Sequence, residues 1–370
     1  MRKLHIYIIL IFILSSCGTS KKINNENVTL RYLDDYVIPS DLEIEGTRVG
    51  GLSGIDFHNG EYYLVCDHPG NPRYYKANIE ITGRSIDTVI ITEVIQFKKN
   101  DSFLSGMHLD LEGIRVEDDQ VLLSSEGSIQ NARDPAIFFT GTDGTYISHF
   151  NLPEYFLALG DQKPRNNGVF EGLAESFDKT GYWAGLELPL VKDGSKPKLF
   201  PTRSPVRITH FDRNSGEATR QFVMQLEHIT KIPWLYFAVN GLTELLEYAP
   251  ERFLVLERAF SAGHGTNGNT VRIFDVDASQ ATNTLEENNL RKIKYKAADK
   301  KLIFDFKPYR KTLKEQIIDN IEGMTFGPDF PNGNKTLLLI SDDNFSSLGR
   351  QINQVILLEL EIKDHININP

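Results

Sequence analysis

A short motif with apolar flanks occurs five times in this 370-residue chain, and that repetition constrains the fold more than any other feature. The copies are Leu52-Ser53-Gly54-Ile55, Leu111-Glu112-Gly113-Ile114, Phe170-Glu171-Gly172-Leu173, Leu242-Thr243-Glu244-Leu245 and Ile321-Glu322-Gly323-Met324. Each is followed by a β-prone run that ends in an acid: Asp67, Glu126, Glu187, Glu257 and Asp342. Counted from the second residue of the motif, the acid lies 14, 14, 16, 14 and 20 positions later. A unit that returns a carboxylate to one place in every copy predicts a ring-like array with a shared acidic site.

Strand signals dominate the rest of the chain. Residues 121–125, 136–139, 146–150, 252–256, 336–341 and 354–360 are short, apolar and β-prone. Turn pairs punctuate them at Asn59-Gly60, Asp143-Gly144, Asp193-Gly194, Ser215-Gly216 and Asn332-Gly333. Residues 155–159, 229–235 and 313–318 are short helices or loops. In the second unit, strands are expected over 112–117, 120–126, 135–140 and 146–152. Four antiparallel strands per unit around an axis describe an all-β β-propeller. Successive motifs begin 59, 59, 72 and 79 residues apart, which leaves room for long loops at 188–206 and 278–301. Five blades are expected, with a sixth possible in the later gaps. The last unit runs out of chain after Glu361, so residues 28–38 are expected to complete it and close the ring.

The chain begins with an export signal. Arg2 and Lys3 precede the apolar run 6–14, which is shorter than the roughly 20 residues of a membrane-spanning helix. Leu14-Ser15-Ser16-Cys17 reads as a lipobox, with Cys17 as the acylated first residue of the mature chain. The expected organisation is a signal peptide at 1–16, lipidated Cys17 and a tether to residue 27, a propeller at 28–362 and a tail at 363–370. The protein is then exported and held in the cell envelope by its lipid, on the periplasmic side of the outer membrane. Only Cys66 remains after lipidation, so no intrachain disulfide is available and Cys66 reads as a small buried hydrophobe. The formal charge is −10 and no long basic run is present, which argues against nucleic acid as a partner. A monomer acting on a small molecule is expected.

In a propeller the innermost strands line the channel. Glu112, Glu171 and Glu322 then ring the axis, with Ser53 and Thr243 in the other two places. Asp67, Glu126, Glu187, Glu257 and Asp342 lie nearby, and Asp343 and Asn344 extend the oxygen-rich run. Several carboxylates cannot stay ionised together in a partly buried site without cations. Calcium suits such a set, because it accepts six to eight oxygen ligands in flexible geometry. No His-x-His or Cys-x-x-Cys pair points to zinc or iron. His108 and His264 are the histidines expected nearest the channel. An alternative is that the Glu-Gly copies satisfy backbone donors between blades, with Arg258 balancing Glu257. No Gly-x-Ser-x-Gly elbow or phosphate-cradling loop is present, and the glycine-rich 263–269 reads as a loop.

At these motifs the chain resembles the phytase-like family described by esterase-like activity. The resemblance is carried by Gly51-Leu-Ser-Gly-Ile-Asp56, Asp110-Leu-Glu-Gly-Ile114, Phe170-Glu-Gly-Leu-Ala174, Leu254-Val-Leu-Glu-Arg258, Asn320-Ile-Glu-Gly-Met-Thr-Phe-Gly-Pro328 and Leu339-Ile-Ser-Asp-Asp-Asn-Phe345 with Gln354. Cys66-Asp67-His68 stands where the family tends to have Ser-Asp-Asp, and Thr243-Glu244 replaces Glu-Gly. The resemblance implies a calcium-dependent hydrolase of phosphate or carboxylate esters. Its catalytic set would be Glu112, Glu171, Glu322 and Arg258, with metal held by the carboxylates above and substrate held by Arg258, Arg350 or His264. A lactonase-type propeller using the same carboxylates, and a ligand-binding propeller without catalysis, are the competing expectations. Replacing Cys17 with Ser is expected to release the protein from membranes, read by fractionation; unchanged membrane association would exclude lipidation.

Overall fold

Short β-prone runs joined by tight turns pair with their sequence neighbours, and here they form five four-stranded antiparallel sheets. The computed structural model describes residues 28–97, 101–346 and 350–363. The expected signal peptide, Cys17 and its tether, and residues 364–370 of the tail, lie outside the described residues. The first blade runs Leu52–His58, Glu61–Cys66, Arg73–Thr82 and Ser85–Gln96. Its first hairpin turns on Asn59 and Gly60, both at positive φ (48° and 89°), the pair of values that a two-residue turn between twisted strands demands. The second blade is Leu111–Glu117, Gln120–Ser125, Ala136–Gly141 and Tyr146–His149, within a few residues of the expected strands. The third is Phe170–Glu175, Gly181–Leu186, Pro205–Asp212 and Ala218–Gln225. The fourth is Ala238–Ala249, Arg252–Ser261, Asn269–Asp277 and Asp299–Asp305.

The fifth blade takes Asn320–Phe326, Lys335–Asp342 and Asn353–Ile362 from the end of the chain, and Val28–Ile38 from its beginning as the outermost strand. Val28 faces Ile362 and Ile38 faces Asn353 in an antiparallel ladder. Val28 and Leu30 add to the apolar core between the fourth and fifth blades. Asp35, fully buried, accepts from Gln354 Nε2 at 2.7 Å and from the Lys314 backbone at 3.1 Å.

The described strands leave no sixth sheet in the later gaps. Those intervals hold loops that brace each other: the Leu290 amide donates to Asp193 Oδ1 at 3.0 Å, and Asp193 is paired with buried Arg207 at 2.6 Å. Residues 229–235 and 313–318 are irregular, and 155–159 overlap a single 3-10 turn, Glu154–Phe156. One helix that the periodicity did not indicate, Ser102–Gly106, is capped by the Asp101 side chain.

The motif has a structural meaning in every blade. The register between the first two strands shifts by one residue there, between Leu52 and Gly54, Leu111 and Ile114, Phe170 and Gly172, Leu242 and Glu244, and Ile321 and Gly323. Each copy is therefore a β-bulge, a device that re-aims a side chain. The glycine that follows meets the neighbouring inner strand. A Cβ on Gly323 would lie 2.8 Å from Gly54 Cα, and one on Gly54 would lie 2.6 Å from Glu112 O. Deleting Val28–Ile38 removes a whole ladder and the buried aliphatic residues Val28, Leu30 and Ile38, and is expected to abolish the native thermal transition followed by circular dichroism. A variant that still melted cooperatively near the parent temperature would show that the fifth blade stands without its outer strand.

Candidate active site

The bulges place Glu112, Glu171 and Glu322 in one cavity. Asp67, Glu126, Glu187 and Asp342 join them from the ends of the second strands. The cavity encloses about 690 Å³ and is also lined by Arg258, Asn320, Asn344 and Lys196. In the other two blades the bulged residue is a hydroxyl that turns to the neighbouring strand instead. Ser53 Oγ donates to Leu111 O at 2.9 Å and Thr243 Oγ1 to Ile321 O at 3.4 Å. The acidic ring is lopsided, as the unequal motifs predicted.

Register corrects one member of the ring. Leu242 pairs with Glu257, as Leu52 pairs with Cys66 and Leu111 with Ser125. The position equivalent to Asp67 and Glu126 is therefore one residue later, and in the fourth blade it is Arg258. Glu257 points away from the cavity, where it takes Lys300 Nζ at 2.6 Å and Asn240 Nδ2 at 2.8 Å. Counting along the chain misled here because the hairpins differ in length, while the ladder does not.

Arg258 is thus the cation built into a ring of acids. Its Nη2 lies 2.6 Å from Glu322 Oε1, and its buried Nε has no partner. Asn320 Nδ2 steadies the same corner, donating to Glu322 at 2.9 Å and Asp342 at 3.2 Å. Glu126 Oε1 accepts from the Gly168 and Val169 amides.

The remaining candidates lie elsewhere. Asp343 is a staple, accepting from the Gly51 amide at 3.0 Å and pairing with Arg48 at 2.7 Å. Arg350 is exposed and pairs with Glu315. His264 bonds to Ile232 O at 2.8 Å and stacks on Trp234, outside the cavity wall. His108 offers its carbonyl to Ser125 Oγ; burial raises the pKa of the nearby Asp110 carboxyl, and the His108 charge offsets part of that rise. Cys66 is fully buried, and burial pushes its thiol up to about 12, which suits a packing residue.

Burial and mutual repulsion shape the electrostatics. Burial first, then the Glu322, Asp110 and Asp343 charges, pushes Asp67 up to about 8. Burial and Glu187 push Glu126 up to about 8, against the two amides that favour its charge. Glu187 rises to about 7, and Glu112, Glu171 and Asp342 rise well above the carboxylate range for the same two causes. Two sets of carboxylates have ligand atoms within 4.8 Å of one another: Asp110 with Glu112 and Glu126, and Glu126 with Glu171 and Glu187. An all-oxygen, buried and mutually repelling set of this kind could hold a metal ion.

Sequence reasoning missed Glu244, which stands where four blades have glycine. It is fully buried on the side of the ring away from the cavity, and it pairs with Arg115 at 2.9 Å. Burial pushes it up to about 7 against that guanidinium and two backbone amides. Arg115 reaches across the axis to Ile55 O at 3.0 Å and Met324 O at 3.3 Å. The channel is thereby stoppered below the carboxylates. The signal was in the sequence, as the one copy of the motif in which an acid displaced the glycine.

The phytase-like family, described as having the esterase-like activity of phytase, matches this chain over residues 47–345. The chain belongs to the phytase-like family. Membership supports a hydrolase in general terms. No curated protein matches the chain. Among solved structures, this phytase-like protein is similar to a xylan β-1,4-xylosidase from Bacillus halodurans, at 8% identity and a TM-score of 0.44, covering 86% of this chain and 54% of the xylosidase. It is also similar to a glycosyl hydrolase from Bacteroides ovatus, at 10% identity, a TM-score of 0.39 and 83% of each chain. The allergen Mala s 1 of Malassezia sympodialis matches at 12% identity and a TM-score of 0.39, over 89% of this chain and 83% of its own.

The raised carboxyls predict an inverted pH dependence for the metal-free phytase-like propeller. A carboxyl whose folded pKa exceeds its unfolded value binds more protons in the native state. Its stabilisation is complete below the unfolded pKa of about 4. It is lost as pH rises through the folded values of about 7 and 8 at Glu187, Asp67 and Glu126. In chelator, the melting temperature is expected to be higher at pH 5.5 than at pH 8.5. A flat or rising profile across that interval would mean that these groups are ionised in the metal-free fold.

Proposed function

We propose that the chain is an exported, lipid-anchored ester hydrolase whose channel carboxylates hold calcium beside a phosphate or carboxylate ester. The observation that carries this reading is the pair of carboxylate sets sharing Glu126, of which Glu112, Glu126, Glu171 and Glu187 line one cavity together with Arg258. Asp110, Glu112, Glu126, Glu171 and Glu187 would hold the metal, and their oxygen-only chemistry fits calcium better than a softer ion. Calcium bound there would polarise a substrate oxygen and make a coordinated water more acidic.

The chain's own residues have separable tasks. Arg258 is pinned by Glu322 and keeps an unused buried Nε donor, so it can bind an anionic or polarised substrate oxygen. Asp67 stands outside both carboxylate sets, and in the metal-free cavity burial, then the neighbouring acids, raises its pKa to about 8 and favours a retained proton. It can deliver that proton to the departing alkoxide oxygen when water has added to the acyl carbon or phosphorus. Asn320 keeps Glu322 and Asp342 turned toward Arg258. The Arg115–Glu244 stopper bars passage to the far end of the channel, so substrate enters and leaves by one mouth.

Elemental analysis of the purified protein, with turnover of aryl phosphates, aryl esters and lactones in calcium and in chelator, tests this reading. Calcium should be present, chelation should abolish hydrolysis, and Glu171→Gln should lower kcat by about 100-fold or more. Activity that survived chelation or Glu171→Gln would remove the metal-channel mechanism. Lactone turnover alone would favour the lactonase reading, and no turnover at all would favour a binding propeller.

A further inference from the structure

One wall of the cavity is apolar, and it continues upward into an aromatic arm. Phe237, Ala238, Val239 and Phe260, all from the fourth blade or the residue just before it, line the cavity among its acids. The chain before them carries Trp234, Leu235, Tyr236 and Phe237 in succession, with exposures of 70%, 68%, 100% and 57%. Four consecutive large apolar side chains in water are costly unless they serve a contact.

The arm is ordered rather than loose. The Trp234 amide donates to Ala262 O at 2.9 Å, and the Ala262 amide donates to Phe237 O at 2.9 Å. Ser261 Oγ donates to Lys231 O at 2.8 Å. Trp234 packs on His264 with ring centroids 4.4 Å apart, and Phe237 lies 6.3 Å from Phe260. Tyr236 sits at φ +58°, a conformation that a bulky residue adopts at a cost, and it holds its ring outward. The fold thus spends strain and desolvation to present an aromatic surface that runs without a break into the carboxylate cavity.

The arm stands at the cavity end of the propeller. Val28 pairs with Ile362 at the opposite end of the fifth blade, far along the strand from Asp342. Val28 itself therefore lies at the face away from the arm, so an anchor attached there would not press the arm onto a membrane. A ligand entering the cavity is the occupant that both the arm and the apolar wall can touch together.

We infer that the site takes esters in which a polar or anionic ester group is joined to an apolar ring, with the ring held by Phe237 and Phe260. This rests on the reading of the cavity as an ester-hydrolysing site. It also bears on substrate class: the apolar wall offers a compact polyanion nothing to bind.

Binding of non-hydrolysable ligand pairs in calcium, by calorimetry, separates this inference from the hydrolase reading. The pairs are 1-naphthylphosphonate with methylphosphonate, and 1-naphthylacetate with acetate. At least one naphthyl ligand should bind about tenfold more tightly than its small counterpart. Phe237→Ser should erase that preference, and Phe260→Ser should reduce it, while circular dichroism stays unchanged. Equal affinity within both pairs, no binding of any of the four, or a preference that survives Phe237→Ser would overturn the inference. Tight binding to phosphatidylglycerol vesicles without a preference in either pair would do the same and would make the arm a membrane contact. A naphthyl preference in a protein that hydrolyses nothing would leave the subsite standing and remove the hydrolase.

Discussion

Everything in this fold depends on how closely five inner strands can approach one axis. Backbone meets backbone there, so the residue after each bulge has space for no side chain in four blades. The fourth blade breaks the rule with Glu244, whose side chain is buried. A buried carboxylate in that position demands a cation, and Arg115 supplies it from the second blade. Arg115 also takes carbonyls of the first and fifth blades, so one guanidinium ties four of the five sheets together. Breaking such a pair by removing one partner typically costs 3–5 kcal/mol, which is roughly a third of a domain's net stability.

The same crowding shapes the acidic cavity. A bulge inserts one residue where regular pairing would turn its side chain elsewhere, and here it turns three glutamates inward. Two blades substitute a hydroxyl that bonds to the next strand, so those blades exchange charge for a tighter seam. The fourth blade also contributes Arg258 in place of an acid. The charge distribution therefore has a direction, from the Glu112–Glu126–Glu171–Glu187 side toward the Arg258–Glu322 pair. A substrate with a polarised bond would be oriented by that field before any chemistry begins.

Much of this was legible in the chain because one physical cause writes the same letters five times. The Glu-Gly copies mark bulge and crowding together, and Asn59-Gly60 marks a turn that few other pairs could make. What could not be read was register. Glu257 and Arg258 differ by one position, and only the pairing of Leu242 with Glu257 decides which side chain faces the axis. The apolar run 232–237 was equally opaque, since hydrophobicity alone predicts burial and gives no sign of a loop held open by bonds to residues 261 and 262. Asp343 looked like a ligand for a related reason: adjacent carboxylates on a strand end point in different directions, and its partner is Arg48.

The pairing of Val28–Ile38 with Asn353–Ile362 has a consequence for how the molecule comes into being. Val28–Ile38 emerges from any pore or ribosome long before Asn353–Ile362, the strand that it pairs with. Until then the fifth blade lacks half of its ladder and the ring stays open, with an unpaired edge that invites other chains. Closing so long a loop is slow compared with forming the hairpins of the other blades. The seam that makes the finished ring cooperative is thus also its last step to assemble, and the interval before closure is when the chain most needs to be shielded from itself.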